Sequence, residues 1–304
     1  MCIRDRSKNG YAKIFELGIN SPEVLFAVEF KSSVIDHAYD AYVRPSGDTK
    51  ELGKQVYSGF VPTSELVDSY EMAGDGGNFS WEKHGKDPYA NREPRFYATI
   101  LYNGADWMGR KIESFVGGKD GYKAYENAGA AGTTVTGYYL RKYLIDGDKT
   151  WVTSGSGQDW IVLRYAEVLL NKAEALAMEN WNKNSAEALQ ALNDVRARVG
   201  LPARATADKE TFLEYVRHER KVELAGEGFR YWDLRRWRLA EKVIDGQNVH
   251  GVKISKQSDG SFTYEQVDAD GGHKRIFYDR YYRFAIPLSE RSNNSLCTNN
   301  DGWI

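Results

Sequence analysis

From Asp159 to Glu179 the chain reads DWIVLRYAEVLLNKAEALAME, with one apolar row at Leu163, Ala166, Leu170, Ala173 and Ala177 and a second at Tyr165, Leu169 and Leu176. Spacings of three and four put each row on one helix face, so two faces of the same helix need cover. Asp159 stands where an N-cap would accept from the first free amides, and no Gly or Pro interrupts the run. The pattern predicts an inner helix of a stacked helical array. A second helix is expected from Ser185 to Val199, capped by Ser185, with Ala188, Leu192 and Val195 inward and Gly200 and Pro202 ending it. A third runs from Asp208 to Ala225 with Phe212, Val216 and Leu224 inward, and a fourth from Arg230 to Ile244 carrying Trp232, Leu234, Trp237 and Leu239. Two successive pairs suggest a repeat, but the first and third helices start about 49 positions apart, so the array diverges from a regular period.

The first half is patterned less. VLFAVEF alternates around Val24, Phe26 and Val28 and predicts a strand after the turn residues Gly18, Asn20, Ser21 and Pro22. Residues 32–62 read as loop. A short helix is expected over Pro62–Met72, capped by Thr63 or Ser64, then a long loop, then a strand on the alternation Phe96, Ala98, Ile100, Tyr102 that closes on Asn103 and Gly104. Residues 117–134 form a second Gly-rich loop, and GYYLRKYL at 137–144 reads as another strand. Beyond Ile244 a hairpin is expected in VKISKQSDGSFTYEQV, followed by an extended segment to Pro287 and an Asn-rich tail. The chain therefore divides into a loop-rich part expected to meet ligand (1–158), a helical scaffold (159–245) and a hairpin with its tail (246–304).

Composition sharpens this division. Aromatics make up 13% of the chain, with 20 Tyr and 8 Trp among 29 Gly, which favours long ring-bearing loops over a large aliphatic core. The 41 Lys and Arg nearly balance the 43 Asp and Glu, and no basic block stands out, which argues against a dedicated nucleic-acid binder. Two cysteines, Cys2 and Cys297, make neither a disulfide framework nor a zinc pair. No apolar run of about 18 residues or more exists to span a bilayer. The opening MCIRDRS has no hydrophobic core of a signal peptide, and Cys2 follows only Met1, so the true beginning of the protein is expected to lie upstream. GxSxG, HExxH and GxxxxGKS are absent, and the five histidines are scattered. Asp268, Asp270 and Gly271 lack the rest of a calcium loop and fit a simple turn.

The stretches VPTSELVDSYEM, DPYANREPRFYATILYNG, TGYYLRKYL, DWIVLRYAEVLLNKAEAL, LNDVRARVGLP, HERKVELAGEGFRYWDLRRW and FAIPLSERSNNSLCTNNDGW resemble, in order, the RagB/SusD family of nutrient-binding outer-membrane lipoproteins. The resemblance covers the family's C-terminal portion. The tail departs from the usual form, with Ser289, Glu290 and Arg291 where a second Pro and an acidic residue followed by Ile are common. The resemblance implies a mainly α, SusD-like fold of divergent tetratricopeptide-type helix pairs with long loops and short β segments. It implies a non-enzymatic protein, without cofactor, held at the cell surface by a lipid anchor outside this sequence. Its partners would be a glycan or other nutrient and a TonB-dependent, SusC-like transporter.

A sugar presents flat C–H faces ringed by hydroxyls, so its binder needs aromatic platforms edged by amides and carboxylates. The loops offer Asn78, Phe79 and Trp81, then Tyr102 and Trp107 beside Asn103 and Asp106, then Tyr122 and Tyr125. Each ring can equally plug its own loop against the scaffold. The charge cluster from Arg217 to Arg236 admits two readings. Glu219 and Glu223 offer a glycosidase pair, but arginines interleave them and would hold both ionised. An Arg–carboxylate lattice joining the third and fourth helices, built on Arg220, Glu223, Arg230 and Asp233, is the favoured alternative. Trp160, Trp232 and Trp237 are expected in the core. A helical-repeat scaffold whose sole ligand is the transporter also stays open.

Overall fold

The computed structural model describes residues 10–74, 76–127 and 133–303. The chain opens with α1 (Gly10–Leu17) and β1 (Val24–Val28), and the stretch expected to be loop contains α2 (Tyr39–Val43) and α3 (Asp48–Leu52). Next come α4 (Ser64–Val67), α5 (Trp81–His84) and α6 (Pro94–Thr99). Here the predicted strand over Phe96–Tyr102 is corrected. Pro94 opens a helix, where its missing N–H costs nothing, and buries Arg95, Phe96 and Thr99 at helical spacing. Only the two residues of β2 (Ile100–Leu101) remain extended.

Short pairs follow: β3 (Asp106–Trp107) with β4 (Arg110–Lys111), and β5 (Tyr139–Leu140) antiparallel to β2. After α7 (Trp151–Ser154) the opening residues of the predicted inner helix are instead β6 (Trp160–Arg164), antiparallel to β1. Ile161 and Val162 are β-branched and pair readily, and Asp159 caps no helix. Its carboxylate accepts from the Ile19 amide at 3.0 Å and the Phe30 amide at 3.3 Å, tying down both ends of the β1 segment.

The helix proper is α8 (Tyr165–Arg198), broken at Asn180, whose φ of −160° and ψ of 94° are non-helical. Asn180, rather than Ser185, starts the second half: its Oδ1 accepts from the Lys183 amide at 3.2 Å. The two halves fold back so that Ala166, Leu170, Ala173 and Ala177 meet Ala188, Leu192 and Val195, with Phe212 and Val216 of α9 (Lys209–Glu223) completing the core. Small alanines let these helices approach closely. Asp208 caps α9 by accepting from Thr211 at 2.7 Å. The fourth predicted helix is two, α10 (Phe229–Arg236) and α11 (Ala240–Ile244), because Arg238 takes a φ of 57° between them. The predicted hairpin is β7 (His250–Lys256) against β8 (Phe262–Asp268), in register from His250–Asp268 to Lys256–Phe262. In the tail the segment after Pro287 forms α12 (Leu288–Asn293).

Between the helical array and the looped half lies a buried ionic layer. Arg95 of α6, Arg164 at the end of β6, Arg196 and Arg198 at the end of α8, Arg204 and Lys142 are matched by Glu23, Glu71, Glu93, Glu219, Glu223 and Glu227. Glu223 alone accepts from Arg95 at 2.9 Å, from Arg164 at 2.6 Å and from Arg198. Arg220 pairs with Asp233 at 2.7 Å, joining α9 to α10. The expected lattice is thus wider than a seam between two helices. Arg230 does not take part as expected: it is half-buried, burial lowers its pKa against the pull of Asp233, and it bonds no carboxylate among the described residues.

Candidate functional site

Seven residues were marked by the sequence as ring or amide contacts, and the fold scatters them. Trp107 is fully buried; its Nε1 donates to Asp48 at 3.0 Å and the Arg44 guanidinium lies 5.3 Å from its ring. It is a core residue with no free face, which corrects the expectation for it. Tyr122 is buried as well, and Tyr102 is packed between Tyr89 at 4.7 Å and Phe96 at 5.3 Å. Phe79 is buried with the Arg92 guanidinium 4.1 Å above its ring, where it supports α5 from beneath. Tyr125 is exposed but stands apart, edge-on to His273 at 5.7 Å. Asn78 is exposed on the approach to α5.

Trp81 is placed differently. Ser80 caps α5 by accepting from the Lys83 amide at 3.3 Å, and this turn holds the indole half out of the core. Its Nε1 donates to Asp68 Oδ2 at 2.9 Å, and Phe79 meets it edge-on at 5.4 Å, so ring and tilt are both fixed. Burial raises the Asp68 pKa, opposed by the hydrogen bond from Trp81. Across from it stands Tyr264 of β8, ring centroids 6.2 Å apart and planes at 44°, backed edge-on by buried Tyr89 at 5.6 Å. Trp81, Glu82, Lys83, Gly85, Lys86, Tyr264 and Gln266 enclose a cleft of about 610 Å³. That volume is within the range of small-ligand sites, roughly 300–1,000 Å³.

Two ring faces with an amide, a carboxylate and two ammonium groups at their margin match what a saccharide requires. Burial raises the Tyr264 pKa, so its hydroxyl stays protonated at neutral pH and can donate to a ligand oxygen. Tyr264 and Gln266 carried no signal for a site in the sequence beyond their same-face spacing in the hairpin.

A second group of rings comes from Phe30, the 32–62 stretch and β6: Phe30, His37, Tyr39, Tyr42, Phe60 and Trp160 line an apolar hollow of about 340 Å³. Trp160 is therefore half-buried rather than core, and Trp232, also expected inside, is 55% exposed. Trp237 is partly buried and donates to Glu174 at 2.7 Å.

The hydrolase reading required Glu223 to be an accessible proton donor. Burial pushes its pKa up, but Arg198, Arg164 and Arg95 outweigh that and hold it well below the ordinary carboxylate range. It is fully buried and ionised, the opposite of a general acid. Among the described residues no cluster of metal ligands occurs; the Asp270 carbonyl accepts from the His273 amide at 3.3 Å in a turn, and its carboxylate accepts from the Val249 amide at 3.2 Å.

The fold is thus mainly α and helix-paired, with a looped half and a hairpin that together carry the cleft beside Trp81. The chain belongs to the SusD family, whose model matches residues 22–303. It is 32% identical over 133 residues to a SusD-like protein P38 of Formosa agariphila, a match covering 40% of this chain and 25% of that one. A SusD-like protein from Bacteroides fragilis superposes with a TM-score of 0.74 at 25% identity, covering 98% of this chain and 57% of the other. A SusD-like carbohydrate-binding protein from the same species gives a TM-score of 0.72 at 26% identity, covering 95% and 60%. The chain thus spans less than two thirds of the length of these relatives.

Proposed function

We propose that this protein binds a glycan in the cleft between α5 and the β7–β8 hairpin, at the cell surface, and passes it to a TonB-dependent, SusC-like outer-membrane transporter. The observation that carries the reading is the fixed pairing of Trp81 with Tyr264 over a cleft edged by Gln266, Glu82, Lys83 and Lys86. Membership of the SusD family and likeness to a carbohydrate-binding relative support the ligand class. Attachment to the outer membrane would come through a lipid anchor; among the described residues no helix is long and apolar enough to cross a membrane.

Affinity electrophoresis and calorimetry of the purified protein against a panel of neutral and charged polysaccharides test the proposal. At least one glycan is expected to bind. Trp81→Ala should then weaken it by about 2 kcal/mol, roughly thirtyfold, as truncating an anchoring ring does. Tyr264→Phe should cost about 1 kcal/mol, one hydrogen bond. A glycan that binds both variants as tightly as the parent would move the site elsewhere.

A further inference from the structure

On α10 the order Tyr-Trp-Asp-Leu-Arg-Arg puts Trp232 one turn from Arg235 and Arg236, so ring and guanidinium share a helix face. The chain returns over this face as Asp279–Phe284. Trp232, Arg235, Arg236, Arg238, Tyr282, Arg283 and Phe284 line the resulting groove of about 490 Å³, and among the described residues no carboxylate lines it. Trp232 and Phe284 are 55% and 56% exposed, with centroids 6.0 Å apart and planes at 72°, forming a corner of two ring faces.

The charges here are not all compensated. Arg236 is neutralised, by Glu174 at 2.5 Å and Asp233 at 2.8 Å. Arg235 is buried at 9% exposure, yet it donates only to neutral oxygens: the Tyr231 hydroxyl at 2.9 Å, the Tyr282 carbonyl at 2.7 Å and the Tyr281 carbonyl. Its guanidinium carbon lies 4.5 Å from the Phe284 ring and 5.8 Å from that of Trp232, at the head of the groove. Arg283 is exposed and its side chain has no acceptor among the described residues. Arg238 has a long 3.9 Å pairing with exposed Asp279 and lies 4.3 Å from the Tyr282 ring. Asp279 and Asp301 line a neighbouring hollow with Arg238, Arg280, Tyr282 and Arg283.

Guanidinium groups are weakly hydrated, stack on rings and grip carboxylate or sulfate through paired N–H groups. A buried cation without a counter-ion strengthens the attraction for an anion beside it. We propose that this groove is a second binding site, for an anionic saccharide bearing carboxylate or sulfate. Its ring would sit in the Trp232–Phe284 corner and its charge against Arg235, Arg238 and Arg283. A flat anionic surface such as a lipid headgroup layer would use the charges and leave the concave aromatic corner empty, which is why a sugar is favoured. The proposal is independent of the Trp81 cleft.

The test is calorimetry of the purified protein with an oligogalacturonide, a sulfated oligosaccharide and a neutral galactan oligomer of equal length. At least one charged oligomer is expected to bind, more weakly as salt rises, and the neutral one at least tenfold more weakly or not at all. The pair Arg238→Gln and Arg283→Gln should reduce the affinity by about tenfold or more, the loss of charge-assisted hydrogen bonds. Both side chains are exposed, so the fold, followed by circular dichroism, should be unchanged. Trp232→Ala should weaken the same ligand, while Trp81→Ala should leave it unaffected. Equal binding of neutral and charged oligomers, binding of neither, or affinity unaltered in the double arginine variant would overturn the proposal. Arginine-dependent binding to vesicles of anionic phospholipid without binding to either charged oligomer would overturn it in favour of a membrane contact.

Discussion

Glu223→Gln removes one charge from the centre of the ionic layer while keeping side-chain volume. Six cationic side chains face six glutamates there, so the substitution leaves one uncompensated positive charge among groups that are nearly all buried. It also replaces three ion-pair hydrogen bonds, from Arg95, Arg164 and Arg198, by at best two bonds from guanidinium to an uncharged amide oxygen. Breaking a buried ion pair by removing one partner costs about 3–5 kcal/mol, a large part of the roughly 5–15 kcal/mol that stabilises a folded protein. With a urea m-value of about 3 kcal/mol/M, the midpoint at neutral pH should fall by roughly 1 to 1.7 M. Glu187→Gln is the control: its pairing with Lys172 is about half exposed, and its loss should stay within about 0.5 kcal/mol. Urea titrations followed by tryptophan fluorescence and circular dichroism measure both. A Glu223→Gln midpoint within about 0.2 M of the parent would refute the reasoning, because the layer would then be contributing no net stability through this residue.

Acid should act on the same layer. Against the burial that raises them, neighbouring groups, at Glu71 including His218 with its Nε2 3.3 Å away, and the nearby cations hold the Glu71, Glu223 and Glu227 pKa values below the ordinary 4.5. Their contribution is therefore full above that value and is lost as pH falls below it, because the unfolded chain takes up protons first; Glu93, raised by burial, runs the other way and only partly offsets this. The melting temperature should decline steeply from about pH 5 to pH 3, and a flat profile in differential scanning calorimetry would contradict it. Trp107→Ala should cost about 3–5 kcal/mol, as deleting a buried Trp side chain does, and leave glycan affinity unchanged. Loss of affinity without loss of stability would return Trp107 to the binding surface.

Much of the helical half was legible in the chain because its signals are local. Asp208 needs only its own third neighbour to cap α9, and the rows at Ala166, Leu170, Ala173 and at Ala188, Leu192, Val195 need only a period. The β7–β8 hairpin was likewise written in its alternation and its Asp-Gly turn. Where the reading failed, the deciding partner was distant. The first residues of DWIVLRYAEV fit a helix by period, yet β1, far upstream, offers them a strand partner, and Asp159 finds the Ile19 and Phe30 amides. Trp81 and Trp107 look alike in sequence, each a ring in a Gly-rich loop. Asp48 and Arg44 draw one inside, while Asp68 and Ser80 hold the other at the surface opposite Tyr264. The sequence alone determined the helix faces, the Asp208 cap and the hairpin turn, because those depend on residues a few positions apart. Which rings face solvent and which charges are neutralised was decided by the tertiary structure, because both depend on contacts between residues up to a hundred or more positions apart.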